Sequence, residues 1–153
     1  MTPDLPLDAP FVHVGRADAD PDVRYLSGAS VPARCAVVVA DGTRLFVPAA
    51  VVTDVEAAPD VSVSAASKPV GRAAAETLAE TADRGRVLAP RTIPHDAALY
   101  VESAGFELES TTAVAEARAA KTDTEVEAVR EAARAARRGV ERAAAVLDDA
   151  DER

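Results

Sequence analysis

Residues Arg34–Pro48 read RCAVVVADGTRLFVP. Cys35-Ala36-Val37-Val38-Val39 is an unbroken apolar run of strand length, and Leu45-Phe46-Val47 is a second. Between them stands Asp41-Gly42, a dipeptide that tolerates the positive φ of tight hairpin turns. The pattern predicts two antiparallel strands joined at that turn. A strand with one wet face alternates apolar and polar residues; this one does not. It is therefore expected to be covered on both faces, as in a sheet held between helices.

Working outward, Phe11–Gly15 is β-prone and predicts an earlier strand. Asp18–Pro21 is a turn, with Pro21 suited to the first position of a short helix in which Tyr25 and Leu26 would anchor the core before Ser27-Gly28 ends it. Ala29–Ala33 reads as a loop, and Ala49–Glu56 as a short helix leading away from the hairpin. Val61-Ser62-Val63-Ser64 alternates, as an edge strand does. Pro69–Ala82 is helical in pattern, with Gly85 as its expected C-cap. Arg86–Ala89 is a strand, His95–Ala104 a helix stopped by Gly105, and Phe106–Glu109 a last strand. Strands alternating with helices after an opening hairpin predict an α/β fold with a mixed β-sheet layered with helices.

The C-terminal stretch differs in kind. Ala115–Ala120 reads as a brief linker helix, then Thr122 and Glu125 have the spacing of a capping box. Behind them Val126, Val129, Ala133, Ala136, Val140, Ala143 and Leu147 recur every three or four residues. That is one apolar stripe along a long helix, which needs a partner surface. The expected organisation is an α/β domain over 1–114, a linker over 115–121 and a long amphipathic helix over 122–153.

Two segments resemble a known family. RAAKTDTEVEAVREAARAA, from Arg118, is similar to the R-x-x-K-[ST]-x-x-E-[IV]-x-x-[IV]-R-x-A pattern that opens the catalytic domain of creatinases, prolidases and Xaa-Pro aminopeptidases. Arg118, Lys121, Thr122, Glu125, Val126, Val129, Arg130 and Ala132 match it. Asp22–Gly28, DVRYLSG, resembles the N-[IV]-R-Y-L-[ST]-G signature of the family's N-terminal domain, with Asp22 where Asn is usual. The resemblance implies a creatinase-type N-terminal domain and a chain ending within the first helix of the catalytic domain. It also implies a parent metallopeptidase whose five ligands (Asp, Asp, His, Glu, Glu) hold two divalent metals in that later domain. Some relatives lend loops of the N-terminal domain to a dimer partner's active site, but no motif here marks such a residue.

Composition narrows the partners. Net charge is −9, aromatics make up 3%, tryptophan is absent, and only Lys68 and Lys121 are lysines among 17 basic residues. An acidic, lysine-poor, alanine-rich chain resembles the proteins of salt-in halophiles. Nucleic acid is not an expected partner: there is no basic patch, and Arg134, Arg137, Arg138 and Arg142 are interspersed with Glu131 and Glu141 as a solvated, ion-paired face. One cysteine, Cys35, excludes an internal disulfide. No signal peptide or membrane-length apolar run is visible, so no membrane association and a cytoplasmic setting are expected.

The search for chemistry leaves nothing to assign. His13 and His95 are the only histidines and lack ligand spacing, so both are expected to be structural. Cys35 reads as a small core residue. Gly15, Gly28, Gly42, Gly71 and Gly85 are isolated turn glycines rather than a phosphate loop. Asp148–Glu152 reads as a frayed, solvated tail. No catalytic, cofactor-binding or metal residue is expected, and no cofactor. The expected function is that of a non-catalytic N-terminal domain of an Xaa-Pro peptidase-like protein, with the helix 122–147 meeting a missing catalytic domain or a second copy in a homodimer. The alternative is a free-standing interaction module that associates through that helix. A small hydrolase built from Asp and Glu of the α/β core has no supporting spacing.

Overall fold

Every residue from Cys35 to Val38 is buried, because the strand that carries them has an apolar layer on each side. Ala36 and Val38 point into one core with Val12, Val14, Phe46, Leu78 and Val101. Cys35 and Val37 point into the other with Phe11, Leu26, Leu45, Val47 and Val114. A period of two along the strand thus feeds two cores at once.

The computed structural model describes residues 5–120 and 123–151. The strands are β1 (Phe11–Arg16), β2 (Arg34–Val39), β3 (Thr43–Pro48), β4 (Val61–Ala66), β5 (Arg86–Ala89) and β6 (Glu107–Ser110). They form one sheet in the order β4-β3-β2-β1-β5-β6. The central β1-β2-β3 meander is antiparallel, while β4 and the β5-β6 pair add parallel wings. The predicted hairpin is present: Val39 pairs with Thr43, and Gly42 takes φ 142°, a conformation L side chains rarely adopt. Its loop is three residues long, with the Ala40 N–H donating to the Gly42 carbonyl.

The helices are α1 (Pro21–Ser27), α2 (Val70–Thr81), α3 (His95–Ser103), α4 (Ala113–Ala119) and α5 (Asp123–Asp151), with a 3₁₀ helix at Ala49–Asp54. Residues of α2 and α3 cover the first core, and those of α1, the 3₁₀ helix and α4 the second. Parallel wings need crossovers, and α2 and α3 supply two of them. Their close approach depends on Gly71, where an added Cβ would lie 3.3 Å from that of Ala97. Gly71 is thus a helix-packing residue rather than a turn glycine.

Other local expectations also shift. Val23 and Leu26 are the fully buried anchors of α1, and Tyr25 is half-buried, because the turn of the helix puts positions three apart against the sheet. Ala82, not Gly85, caps α2, with its N–H donating to the Leu78 carbonyl. The α3 helix ends one residue early; Ala104 caps it and Gly105 turns the chain at φ 94°. The chain divides into two compact units, Met1–Arg118 and Ala119–Arg153.

Cys35 is buried and its thiol donates to the Ala33 carbonyl at 3.3 Å. Burial is the main cause that pushes its pKa up. A raised folded value contributes stability at neutral pH that is lost as pH rises through it. Native protein is therefore expected to react with an aromatic disulfide reagent at pH 8 far more slowly than urea-unfolded protein. Equal rates would show the thiol to be accessible.

Candidate functional site

The DVRYLSG segment is α1 with its C-cap, and each of its polar residues has a structural task. Asp20, just before it, is the N-cap: its Oδ1 accepts from the N–H groups of Asp22 (3.0 Å) and Val23 (3.1 Å). Arg24 donates through Nε to the Ala17 carbonyl at 3.3 Å and through its guanidinium to the Asp18 carbonyl. The Ser27 hydroxyl donates to the Val23 carbonyl at 2.7 Å and accepts from the Ala29 N–H at 3.1 Å. Gly28 takes φ 65° as the left-handed cap, its N–H donating to the Arg24 carbonyl. A Cβ there would also lie 3.1 Å from Ala58.

His13 stands on the same layer. Its Nε2 is 2.8 Å from Asp20 Oδ2, with the histidine side chain 1% exposed and the aspartate 23%. The carboxylate accepts, so Nε2 donates, and His13 Nδ1 has no partner among the described residues. The Asp20 carboxylate reaches His13 by passing over Gly15, two residues along β1. A Cβ on Gly15 would lie 2.4 Å from Asp20 Oδ2. Gly15 is thus a strand glycine kept bare for a crossing side chain.

The two motif segments meet. Arg118 Nε donates to Asp22 Oδ1 at 3.1 Å across 96 residues of sequence. Asp22 opens the first motif and Arg118 the second, so α4 is fastened to α1 at the position where the first motif departs from its usual Asn. Val114, also on α4, is buried in the second core. The pair lies beside a hollow lined by Arg16, Asp20, Pro21 and Thr92 as well. Arg16 is occupied by Asp18, with Nη2 2.8 Å from Oδ2, and this hydrogen bond is the main cause that lowers the Asp18 pKa. The hollow's arginines are thus matched by carboxylates of the same surface.

With Arg118 41% exposed, its coupling to Asp22 is expected to be about 0.3–1 kcal/mol. A double-mutant cycle of Asp22→Ala and Arg118→Ala, read by urea unfolding, measures it. Asp22→Asn keeps an acceptor and is expected to lose less than Asp22→Ala. The reverse order would remove the hydrogen bond from this account.

The remaining sequence candidates form no metal-holding cluster among the described residues. His95 is the exposed first residue of α3, far in sequence from His13 and without its burial. No helix among them is long and apolar enough to cross a membrane. On α5, Arg137 pairs with Glu141 at 3.0 Å, and Arg130 and Arg134 each approach Glu127 at 3.5 Å, as the predicted solvated face requires. The apolar stripe of the same helix is open, with Val129, Val140 and Leu147 at 54%, 70% and 66% exposure. The predicted capping hydroxyl of Thr122 lies outside the described residues, as do the side chains of 148–152; the backbone of α5 is helical to Asp151, where a frayed tail was expected.

A mixed six-stranded sheet with helices on both faces, followed by a long helix, is the fold of prolidases and Xaa-Pro peptidases over part of their length. Prolidase from Pyrococcus horikoshii superposes with a TM-score of 0.61 at 17% identity, covering 86% of this chain and 37% of that one. The Xaa-Pro dipeptidase from Bacillus anthracis gives 0.62 at 14%, covering 77% and 33%. The Xaa-Pro aminopeptidase structure from Streptococcus thermophilus gives 0.55 at 9%, covering 71% and 84%. The chain thus spans about a third of the length of the first two. No protein-family model and no curated protein matches the sequence.

Proposed function

We propose that this chain is the non-catalytic N-terminal part of an Xaa-Pro aminopeptidase- or prolidase-like metallopeptidase. Its role is oligomerisation and the shaping of access to a metal site that another part of such a protein carries. The observation behind this reading is the Asp22–Arg118 hydrogen bond, which ties together the two segments that resemble family motifs, within a fold that prolidases share. The setting we propose is cytoplasmic and, from the acidic, lysine-poor composition, saline. The chain alone is expected to release no N-terminal residue from an Xaa-Pro peptide in the presence of Mn²⁺.

The open stripe of α5 favours a second reading, an interaction module that pairs through that helix. Light scattering in molar KCl, on the full chain and on a chain ending at Thr122, separates the two. Oligomerisation through the α/β unit predicts a dimer that survives the shortening. Pairing through α5 predicts a dimer that becomes a monomer. A monomer in both would overturn both.

A further inference from the structure

The helical cover of the first core stops short of the hairpin end of the sheet. α2 packs over β2 and β3, and its last buried side chain is Leu78, shortly before the helix ends at Thr81. The strand positions beyond that cover are polar. Arg44 lies two residues before Phe46 on β3, hence on the same face, with Val38 beside it on β2 and Ser62 on β4. Phe46 and Val38 belong to the first core, whereas Arg44 and Ser62 are exposed. The result is an open cleft of about 310 Å³ between the hairpin and the last turn of α2, with Thr77 and Thr81 on its helical side.

The charges in this cleft are left over from the pairing seen elsewhere. Arg16, Arg34, Arg72, Arg86 and Arg118 each bond a carboxylate. Arg44 bonds none among the described residues, although Asp41 and Asp60 line the same cleft. Asp60 has a partner of its own and is set aside. Asp41 has none among the described residues, and neither has the hydroxyl of Ser62 or of Thr77. The Thr81 hydroxyl donates to the Thr77 carbonyl at 2.7 Å.

An unpaired cation and an unpaired anion, three residues apart around one turn, select a ligand with both charges close together. A plain anion would meet Arg44 but be repelled by the aspartates. A plain cation would meet Asp41 and leave Arg44 unmatched. An α-amino acid carries its carboxylate and ammonium group on one carbon and answers both. The guanidinium offers a planar donor fork to the carboxylate, and the Ser62 hydroxyl supplies a further donor. Val38, 3% exposed, gives the ligand's side chain an apolar floor.

We propose that this cleft binds a free α-amino acid, with its carboxylate on Arg44 and its ammonium group on Asp41. The volume lies at the low end for ligand sites, and the mouth is open, since a Cβ on Gly42 would meet nothing within 4 Å. A dissociation constant on the order of 1 mM is therefore expected. The site needs no catalytic part of the protein and is independent of the role proposed above.

The test is a titration of the isotope-labelled full chain with L-leucine and with L-alanine, read by amide chemical shifts in low salt, where exposed charges are screened least. Shifts are expected at residues 40–44, 60–62 and 77–81, saturating together. Isocaproate lacks the ammonium group of leucine and isopentylamine lacks its carboxylate; each is expected to bind about tenfold more weakly than leucine. Arg44→Gln and Asp41→Asn remove one protein partner each and are each expected to raise the leucine dissociation constant about tenfold. Both positions are exposed, and Asn keeps the turn preference of Asp, so both variants are expected to retain dispersed spectra. If neither amino acid shifts the cleft, or both variants bind leucine unchanged, the proposal is overturned. Isocaproate binding as tightly as leucine would remove Asp41 from the site, and isopentylamine doing so would remove Arg44. Either result overturns the amino-acid assignment.

Discussion

Gly15→Ala is expected to destabilise the α/β unit by about 2–4 kcal/mol, a large effect for one methyl group. The new Cβ would fall 2.4 Å from Asp20 Oδ2 and 2.8 Å from its Cγ, so the carboxylate must leave. Its departure removes the N-cap of α1, worth about 1 kcal/mol. It also strips a buried histidine nitrogen of its acceptor, at about 1–3 kcal/mol. Asp20→Ala loses the same two interactions by another route and is expected to cost a similar amount. The two losses should therefore combine to less than their sum: in an Asp20→Ala background the carboxylate is already gone, the new methyl meets only the residue-20 Cβ at 2.9 Å, and Gly15→Ala costs less there than in the natural sequence. Urea midpoints of the two single variants and the double variant measure this. Additive losses would mean that Gly15 is bare for some other reason.

The second large effect is in the cores. Leu78→Ala, on α2, and Phe11→Ala, on β1, truncate fully buried side chains on opposite faces of the same sheet. The expected losses are about 2–5 and 3–5 kcal/mol respectively. Domains of this size have about 5–15 kcal/mol in total, so either change consumes much of the margin. Both faces matter because β1 and β2 have no solvent-exposed side to fall back on. If Leu78→Ala left the unfolding midpoint in place, the α2 layer would be dispensable, and the two-core account would be wrong.

The layered sheet was legible because its signals are local. The apolar runs at 35–39 and 45–47 lie on either side of Asp41-Gly42, and a run that never alternates can only be buried on both faces. Pro21 marked the start of α1, and Gly28 marked its end. The edge position of β4 was legible too, from the alternation of Val61 to Ser64. Caps were harder: Gly85 and Gly105 drew the helix ends toward themselves, while the backbone turned earlier, at Ala82 and Ala104. Glycine permits a turn but does not require one at that residue.

By itself the amino-acid sequence determined the two-sided sheet, the order of strands and helices, and the apolar stripe of the long helix, because each follows from residues within a few positions of one another. Only the tertiary structure decided what His13, Gly15 and Asp22 are for. Each acts on a residue that packing brings to it: Asp20 for the first two, Arg118 for the third. A lone histidine, a strand glycine and an aspartate in an Asn position carry no local trace of those partners. Contact between segments 96 residues apart arises from packing α1 and α4 on the same face of the sheet, which periodicity along the chain does not encode.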